Sequence, residues 1–409
     1  MTILPGWRRN LVAVSSASFL GFAGFTLVMP FLPLYFHELG VDDVGAVALW
    51  TGLSLGATPA LTAVLAPLWG RLGDRFGRKI MIQRSIASFV VVMVAMAYVT
   101  APWQVLALRA IQGLFAGYGA LALTMAADSA PPGRLARAIG TVQTAQRLGP
   151  ALGPAIGGVI AQVVGLRRAF LVAALFYVVG FALVQVLYRE VSRVPAGDPA
   201  IDGRRPGRVS FRSVRAFEHF VLLMGIIFAL QLVDRSLGPI LPLYVTDIGT
   251  PLARAPLVAG LLFSVVAGAG AIGNTACAWW LKRAAARDVI VISAASGAAA
   301  MVACAVVPRL LVVGPALVVF GAAMGAAMTA TYTAAAGVIP APVRGTGFGF
   351  LTSASLVGLA ISPMLSGLLA TASLVAVFAI DAVVLVALAI GVKRLMVGSR
   401  RPATATDDP

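Results

Sequence analysis

Charged side chains are scarce in this sequence. Of 409 residues, 11% are charged and 60% are hydrophobic, whereas an ordinary soluble domain carries about 25% charged residues. So few charges cannot cover the surface of a water-soluble globule of this length. The composition therefore excludes an ordinary soluble protein and indicates a chain whose solvent is lipid.

Cysteine and histidine are also rare, with two residues of each. Cys277 and Cys304 lie within apolar runs, which favours buried, unreactive thiols over a disulfide or a metal site. His37 and His219 fall at the ends of apolar runs and do not suggest a ligand pair. No G-x-x-x-x-G-K-[ST] phosphate loop and no H-E-x-x-H or Ser/His/Asp arrangement can be assembled. We therefore expect no enzyme, no metal and no cofactor.

Long apolar runs are what the sequence has in abundance. A helix needs about 20 apolar residues to cross a bilayer, and only helices or closed barrels satisfy the backbone there. The runs lack strand-like alternation, so they predict helices. We predict twelve spans, at residues 11–36, 44–69, 80–100, 105–127, 138–164, 170–188, 220–245, 257–281, 289–307, 310–338, 345–370 and 374–392.

The net charge of +16 is distributed by topology. Of the 31 Lys and Arg, four lie in loops on one side of the membrane: Arg167, Arg168, Arg254 and Arg309. Three more lie inside spans: Arg109, Arg147 and Arg235. All the others are assigned to loops on the opposite side. This positive-inside asymmetry predicts that both termini are cytoplasmic. Because exposed aromatics do not alternate with the basic residues, we expect no nucleic-acid partner.

One polar stretch divides the chain. Residues 189–218 contain seven arginines together with Pro195, Pro199 and Pro206, and they predict a cytoplasmic linker. The linker separates a six-helix half at residues 1–188 from a second at 219–398. Residues 399–409 would form a cytoplasmic tail.

The two halves resemble each other in sequence. Gly113 and Gly117 match Gly321 and Gly325 at an offset of 208, and the segment M-P-F-L-P-L-Y-F at 29–36 matches G-P-I-L-P-L-Y-V at 238–245. Parallel six-helix repeats with a site between them near the bilayer midplane are typical of alternating-access transporters.

The loop between the second and third spans carries the most recognisable motif. It reads G-R-L-G-D-R-F-G-R-K from Gly70 to Lys79. Glycines permit a tight turn, Asp74 can cap the next helix, and the basic residues suit a cytoplasmic loop. Together with the twelve spans, this spacing closely resembles the signature loop of the major facilitator superfamily. The resemblance implies an all-α membrane fold with twelve helices in two pseudo-symmetric halves.

The same resemblance implies a conformational latch. In the family, the acid and the second arginine of the loop pair with an acid that closes the fourth span, and Asp128 occupies that place. We call the following residues the latch: Gly70, Asp74, Arg75, Gly77, Arg78 and Asp128. The resemblance implies that the latch holds the outward-open state. Residues 282–288 keep the positive charge but lack the glycines, and so predict a degenerate copy.

Arg109 and Gln112 lie inside the fourth span. They resemble the R-x-x-Q-G element of the family, in which the arginine is associated with proton transfer. An arginine inside a span costs several kcal/mol unless it faces a cavity or a partner. The alternative is that Arg109 extends to the outer interface and has no further role.

A glycine pattern marks the fifth span. It follows G-x8-G-x3-G-P-x2-G-G and comprises Gly140, Gly149, Gly153, Pro154, Gly157 and Gly158. The pattern resembles the signature of the drug:proton antiporters of the family, which implies outward transport. The alternative is an ordinary small-residue packing face.

Asp234 and Asp381 are the acids that fall within spans. Asp234 shares one helical stripe with Gln231, Arg235 and Gly238, so its protonation could alternate with cation binding. The alternative is a self-satisfied structural pair. The position of Asp381 in the last span favours a packing role. Arg147 could line a cavity or neutralise one of the acids.

These features together predict a proton-driven exporter of small amphipathic or cationic drugs in a bacterial inner membrane. Its partners would be a small-molecule substrate, protons and the lipid bilayer, with the proton gradient as the energy source. The family implies a monomer. The alternative is an exporter of one metabolite, such as a siderophore or a sugar.

The charge asymmetry yields a topology test. We expect green fluorescent protein fused to either terminus to fluoresce, because both termini should be cytoplasmic. Alkaline phosphatase inserted after Gly165 should be active, because that loop should face outside. Dark fusions at both termini together with an inactive phosphatase after Gly165 would show the opposite orientation.

Overall fold

The computed structural model of the chain describes residues 6–131, 134–189, 219–339 and 344–396. Within these residues the backbone forms fourteen α-helices, one short 3-10 turn and no strand. A helix satisfies its backbone N–H and C=O groups within one segment, as apolar surroundings require. The prediction of an all-α membrane fold is confirmed.

Eight helices precede the predicted linker. They are α1 (Gly6–Thr26), α2 (Leu32–Glu38), α3 (Val44–Phe76), α4 (Arg78–Met96), α5 (Pro102–Phe115), α6 (Tyr118–Ser129), α7 (Leu135–Val164) and α8 (Leu166–Leu187).

Six helices follow the predicted linker. They are α9 (Phe220–Asp247), α10 (Ala255–Trp280), α11 (Ala286–Val306), α12 (Leu310–Val338), α13 (Arg344–Ala370) and α14 (Leu374–Leu395). Over the described residues, ten helices are long and apolar enough to cross a membrane. The pairs α1–α2 and α5–α6 lie at the two remaining predicted spans, 11–36 and 105–127.

Two predicted spans are broken, which corrects the continuous helices expected at 11–36 and 105–127. In the first, α1 ends at Thr26, and α2 restarts with Pro33 in its first turn, where the missing N–H is tolerated. In the second, Ala116 is extended and Gly117 adopts a φ of 118°. Glycine takes this left-handed conformation without the penalty that a side chain imposes.

The internal repeat is visible in the helix starts. Three pairs of corresponding helices begin 208 residues apart: α4 and α11 at Arg78 and Ala286, α5 and α12 at Pro102 and Leu310, and α8 and α14 at Leu166 and Leu374. This spacing equals the offset of the matched glycines. The pseudo-symmetry predicted from the sequence is therefore a property of the fold.

The chain groups into two compact units. The first contains the described parts of Met1–Gly207, Arg235–Ala267 and Leu359–Val377; the second contains those of Arg208–Asp234, Gly268–Gly358 and Phe378–Pro409. Apart from Arg189, the predicted linker lies outside the described residues, as does the whole predicted tail. The division at 188, 218 and 398 stays a prediction.

Glycines seat α7 on α1 in the first unit. A Cβ on Gly149 would lie 2.8 Å from Cβ of Phe22, and a Cβ on Gly157 would overlap the carbonyl group of Leu27. Gly153 meets α1 in the same way at Ala23. The backbones can therefore approach more closely than side chains would allow.

Two further close approaches in the first unit involve helices from both halves of the sequence. Gly158 of α7 lies against the backbone of Pro256 in α10, and Gly52 of α3 lies against the backbone of Pro363 in α13. Both contacts are near the helix ends that the charge pattern predicts to face outside. At those ends, glycine replaces side chains with direct backbone packing.

Small residues also shape the second unit. Helices α11 and α12 pack along each other, and a Cβ on Gly297 would lie 3.0 Å from Cε of Met324. Gly325 of α12 lies directly against the backbone of Gly270 in α10. Unlike Gly117, Gly325 lies inside an uninterrupted helix.

The α1–α7 contact generates a stability prediction. We expect Gly157→Ala to destabilise the protein by about 1 to 3 kcal/mol, because the new methyl group would overlap the backbone carbonyl of Leu27, the residue that follows α1. Gly140→Ala is the matched control, since a Cβ there meets nothing within 4 Å. Thermal unfolding in detergent measures both. Equal midpoints for the two variants would contradict the packing role.

Candidate functional site

Arg109 is fully buried in the middle of the first unit. Its exposed fraction is 0%, and its Nη1 donates a hydrogen bond to Oε1 of Gln112 at 2.9 Å. The Thr58 hydroxyl of α3 donates to the Arg109 carbonyl at 2.8 Å. Phe25 of α1 places its ring centroid 5.7 Å from the guanidinium carbon. Arg109 therefore points into the helix bundle and does not reach the membrane interface.

Two tyrosines end near the same face of α1. A Cβ on Gly21 would overlap the Tyr118 hydroxyl, and a Cβ on Gly24 would lie 3.1 Å from Cζ of Tyr177. Phe89 packs edge-on against both rings, at centroid distances of 5.9 and 5.4 Å. Glycines in α1 thus make the room that the two phenols occupy.

This buried cluster has more donors than acceptors. Nε and Nη2 of Arg109, Nε2 of Gln112 and the hydroxyls of Tyr118 and Tyr177 have no hydrogen-bond partner within the described residues. Arg109 and Tyr177 lie close enough to interact electrostatically. No carboxylate of a described side chain lies within 4 Å of Arg109. Any acceptor that enters this apolar region would be bound strongly.

The acidic stripe lies on α9. Asp234 and Arg235 are half-buried, and Gln231, one turn before Asp234, donates from Nε2 to the Ser355 hydroxyl at 2.8 Å. Tyr332 also hydrogen-bonds to Ser355, and it lies in the same unit as Gln231 and Ser355. A polar path therefore joins α9, α12 and α13.

Arg147 lies on a polar, exposed face of α7. Arg137, Thr141, Thr144 and Arg147 follow helical spacing, and all four side chains are exposed. Polar residues within a span generally face a water-filled cavity or the bundle interior. The cavity-lining role of Arg147 stays a prediction. Asp381 of α14 is 5% exposed and lies within the second unit.

Part of the latch is assembled as a hydrogen-bonded ion pair between Nη1 of Arg78 and Oδ2 of Asp128. Gly77 joins α3 to α4 with a φ of 94°, a conformation that favours glycine. The Arg75 guanidinium packs on Phe76, 5.4 Å from the ring centroid. The surroundings of Gly70 and Asp74 lie outside the described residues, so their place in the latch stays a prediction.

Residues beside the latch fasten the start of the predicted linker. Asn10 donates from Nδ2 to the Arg189 carbonyl at 2.8 Å and accepts from the Arg189 amide at 3.0 Å. Lys79 donates from Nζ to the Tyr188 carbonyl at 3.0 Å. The sequence analysis did not single out Asn10. The sequence feature that could have identified it is a single amide side chain within the first apolar helix.

The sequence analysis also missed Trp69 and Arg84. Arg84 was assigned to a loop, although it lies within the predicted span 80–100, and the structure places it inside α4. Its guanidinium carbon lies 3.4 Å from the ring centroid of Trp69. The signal was available, because an arginine within a predicted apolar run needs a partner.

Five of the six glycine-motif residues lie at helix contacts. Gly149 and Gly153 face α1, and Gly157 faces Leu27 just after the end of α1, whereas Gly158 and the Pro154 carbonyl face α10. Gly140 has nothing within 4 Å of a built Cβ. The packing interpretation accounts for the central glycines, and it leaves the motif's role in transport direction as a prediction.

The sequence matches a family model described as Major Facilitator Superfamily, over residues 14–318 and 225–408. Multidrug resistance protein MdtG of Proteus mirabilis is 32% identical over 259 residues, covering 63% of each chain. The protein of that name from Yersinia enterocolitica is 34% identical over 268 residues, covering 65% of this chain and 64% of its own. The chain thus spans less than two thirds of the length of these curated relatives.

Solved structures share the fold. A bacterial homologue of the human lysosomal transporter Spinster, inward-facing and unoccupied, aligns with a TM-score of 0.76 at 18% identity, covering 96% of this chain and 95% of that one. A D-xylose–proton symporter aligns with a TM-score of 0.76 at 13% identity, covering 95% and 97%.

The Arg109 environment makes a stability prediction. Arg109→Gln should raise the unfolding free energy by about 1 to 2 kcal/mol, because it removes a buried cation without a described carboxylate partner. Arg168→Gln, at an exposed arginine, is the control and should change stability by less than about 0.5 kcal/mol. Thermal unfolding in detergent decides; a lower midpoint for Arg109→Gln would mean that the cation is stabilising.

Proposed function

The chain belongs to the major facilitator superfamily, and we propose that it is a proton-driven exporter of small amphipathic or cationic drugs in a bacterial inner membrane. The observation that carries the proposal is Asp234, a half-buried carboxylate in the middle of an apolar membrane helix. An ionisable group at such a depth is a candidate for substrate or proton binding. The names of the curated relatives support drug export.

Alternating access would supply the transport cycle. Two six-helix halves, at 1–188 and 219–398, would rock about a central site while the linker at 189–218 joins them and the tail at 399–409 stays cytoplasmic. The glycine contacts of α3 with α13 and of α7 with α10 bring these helices into backbone contact near the predicted outer ends. Direct backbone packing leaves little room for water there.

Asp234 would couple proton entry to drug release. When ionised, the carboxylate attracts a cationic substrate; when protonated from outside, it loses that attraction and releases the substrate. Gln231 lies one turn away and is already tied to Ser355, so the stripe offers polar contacts beside the acid. Because both cargoes need the same group, one proton and one cation exclude each other.

Arg109 would tune the step from the first unit. A fully buried cation raises the local positive potential and favours the ionised form of any acid that approaches it. Gln112 would orient the guanidinium through the hydrogen bond at 2.9 Å. Arg147 and Arg235 would act as further cations near the transport path, and Asp381 as a secondary acid.

The latch would set which side is open. The pair Arg78–Asp128 ties the start of α4 to the end of α6, and Asp74 would complete it by family resemblance. Breaking these contacts frees α6 to move when the halves rock. We propose that the protein works as a monomer, needs no cofactor and catalyses no reaction.

Ethidium export tests the proposal. With an imposed pH gradient in cells, wild-type protein should export the dye, and Asp234→Asn should lower the initial rate about tenfold or more, because the amide cannot exchange a proton. Asp247→Asn is the matched control on the same helix, since Asp247 is exposed at its end. Membrane levels of both variants must equal those of wild type.

Each other outcome has a consequence. Unchanged export by Asp234→Asn would move the coupling role to another acid, and Asp381→Asn would be compared next. No export of ethidium or any other lipophilic cation by wild type would contradict the multidrug proposal and favour a single-metabolite exporter.

A further inference from the structure

The break between α5 and α6 removes two helical backbone hydrogen bonds inside the predicted fourth span. In a continuous helix, the carbonyls of Leu114 and Phe115 would accept from the amides of Tyr118 and Gly119, four residues on. Because α5 ends at Phe115 and Gly117 turns with a φ of 118°, these helical bonds are missing. Unpaired carbonyls are costly in hydrocarbon unless another donor reaches them.

Two side chains provide the missing donors. Nε1 of Trp69 donates to the Leu114 carbonyl at 2.9 Å, and Nη2 of Arg84 donates to the Phe115 carbonyl at 3.1 Å. The guanidinium of Arg84 stacks on Trp69, and its carbon lies 5.6 Å from the ring centroid of Phe115. We call Trp69 and Arg84 the carbonyl clamp.

The second half of the chain supplies an internal comparison. At the offset of 208, Gly117 corresponds to Gly325, yet α12 runs through Gly325 without a break. Trp69 and Arg84 correspond to Cys277 and Ile292, which cannot donate to a carbonyl as indole and guanidinium do. A glycine at this place therefore does not break the helix by itself. The broken helix occurs in the half that has the donors.

The break between α5 and α6, which we call the joint, lies between two parts of the proposed transport machinery. Arg109 and Gln112 are on α5, before the break, and Asp128 of the latch is on α6, after it. Straightening the joint would therefore change the position of the latch relative to the buried cation. The amides at the start of α6 are also free of helical acceptors, as at every helix N-terminus.

We propose that Trp69 and Arg84 form a switchable clamp that holds the fourth span broken in this conformation and releases it to a straight helix in the opposite-facing one. Two side-chain hydrogen bonds to Leu114 and Phe115 would exchange for two backbone bonds from Tyr118 and Gly119. The number of satisfied carbonyls stays the same, so two states of similar free energy can alternate. This inference rests on the proposed alternating access, and Trp69 and Arg84 act as positioning residues within it.

Hydrogen exchange on the full-length protein in lipid nanodiscs tests the clamp without measuring transport. Arg84→Gln and Trp69→Phe weaken the broken form, so the straight helix gains population. The amides of Tyr118 and Gly119 should then exchange about five- to tenfold more slowly, because they become hydrogen-bonded. Arg168→Gln and Trp103→Phe are matched controls at exposed positions and should leave this exchange unchanged.

Gly117→Ala tests the same equilibrium with the clamp intact. Alanine disfavours the φ of 118°, and the nearest atom to its Cβ, Cβ of Trp69, is 3.5 Å away, so there is space for the methyl group. It should slow exchange at the same amides. Faster exchange in α5 and α6, or no change in Arg84→Gln and Trp69→Phe, would overturn the proposal.

Transport assays then separate the clamp from the transport function. If ethidium is exported, Arg84→Gln should lower turnover with little change in half-saturation, because it alters a conformational step and no substrate contact. If no dye is exported, the exchange results still decide whether the clamp exists.

Discussion

Backbone hydrogen bonding in an apolar solvent is the constraint on which this structure depends. Each N–H and C=O group within the bilayer must find a partner in the protein. Uninterrupted helices meet the requirement alone, and most of the described spans do so. Where a span breaks, neighbouring side chains must supply the bonds. The indole of Trp69 and the guanidinium of Arg84 do this at the end of α5.

Close backbone approach is the second consequence of a lipid solvent. Burying apolar surface gains little when the surroundings are equally apolar, so helices associate through packing of small residues. Gly149 and Gly153 place α7 on the backbone of α1, and Gly158 places its other side on α10. One helix thus contacts segments from both halves of the sequence. A motion of α7 must change one of these contacts.

The charged groups inside the membrane helices differ between the two halves of the sequence. Arg109 is enclosed in the first unit with donor groups around it, whereas Asp234 lies on α9 beside Gln231. A cation without a bound anion is costly in low dielectric, so its presence indicates a role other than folding. The same reasoning applies to Arg84, whose Nε and Nη1 are buried without hydrogen-bond partners among the described residues.

The sequence by itself determined the helical class, the repeat at 208 residues and the family, because hydropathy and glycine spacing are local properties of the chain. The resemblance of the loop at 70–79 to the family's signature also implied the pair Arg78–Asp128. Only the tertiary structure decided that the fourth span breaks at Gly117 while the helix through Gly325 continues. Glycine permits both conformations, and the choice depends on whether side chains from other helices reach the freed carbonyls. Such contacts join residues 31 to 45 positions apart, which no local pattern encodes.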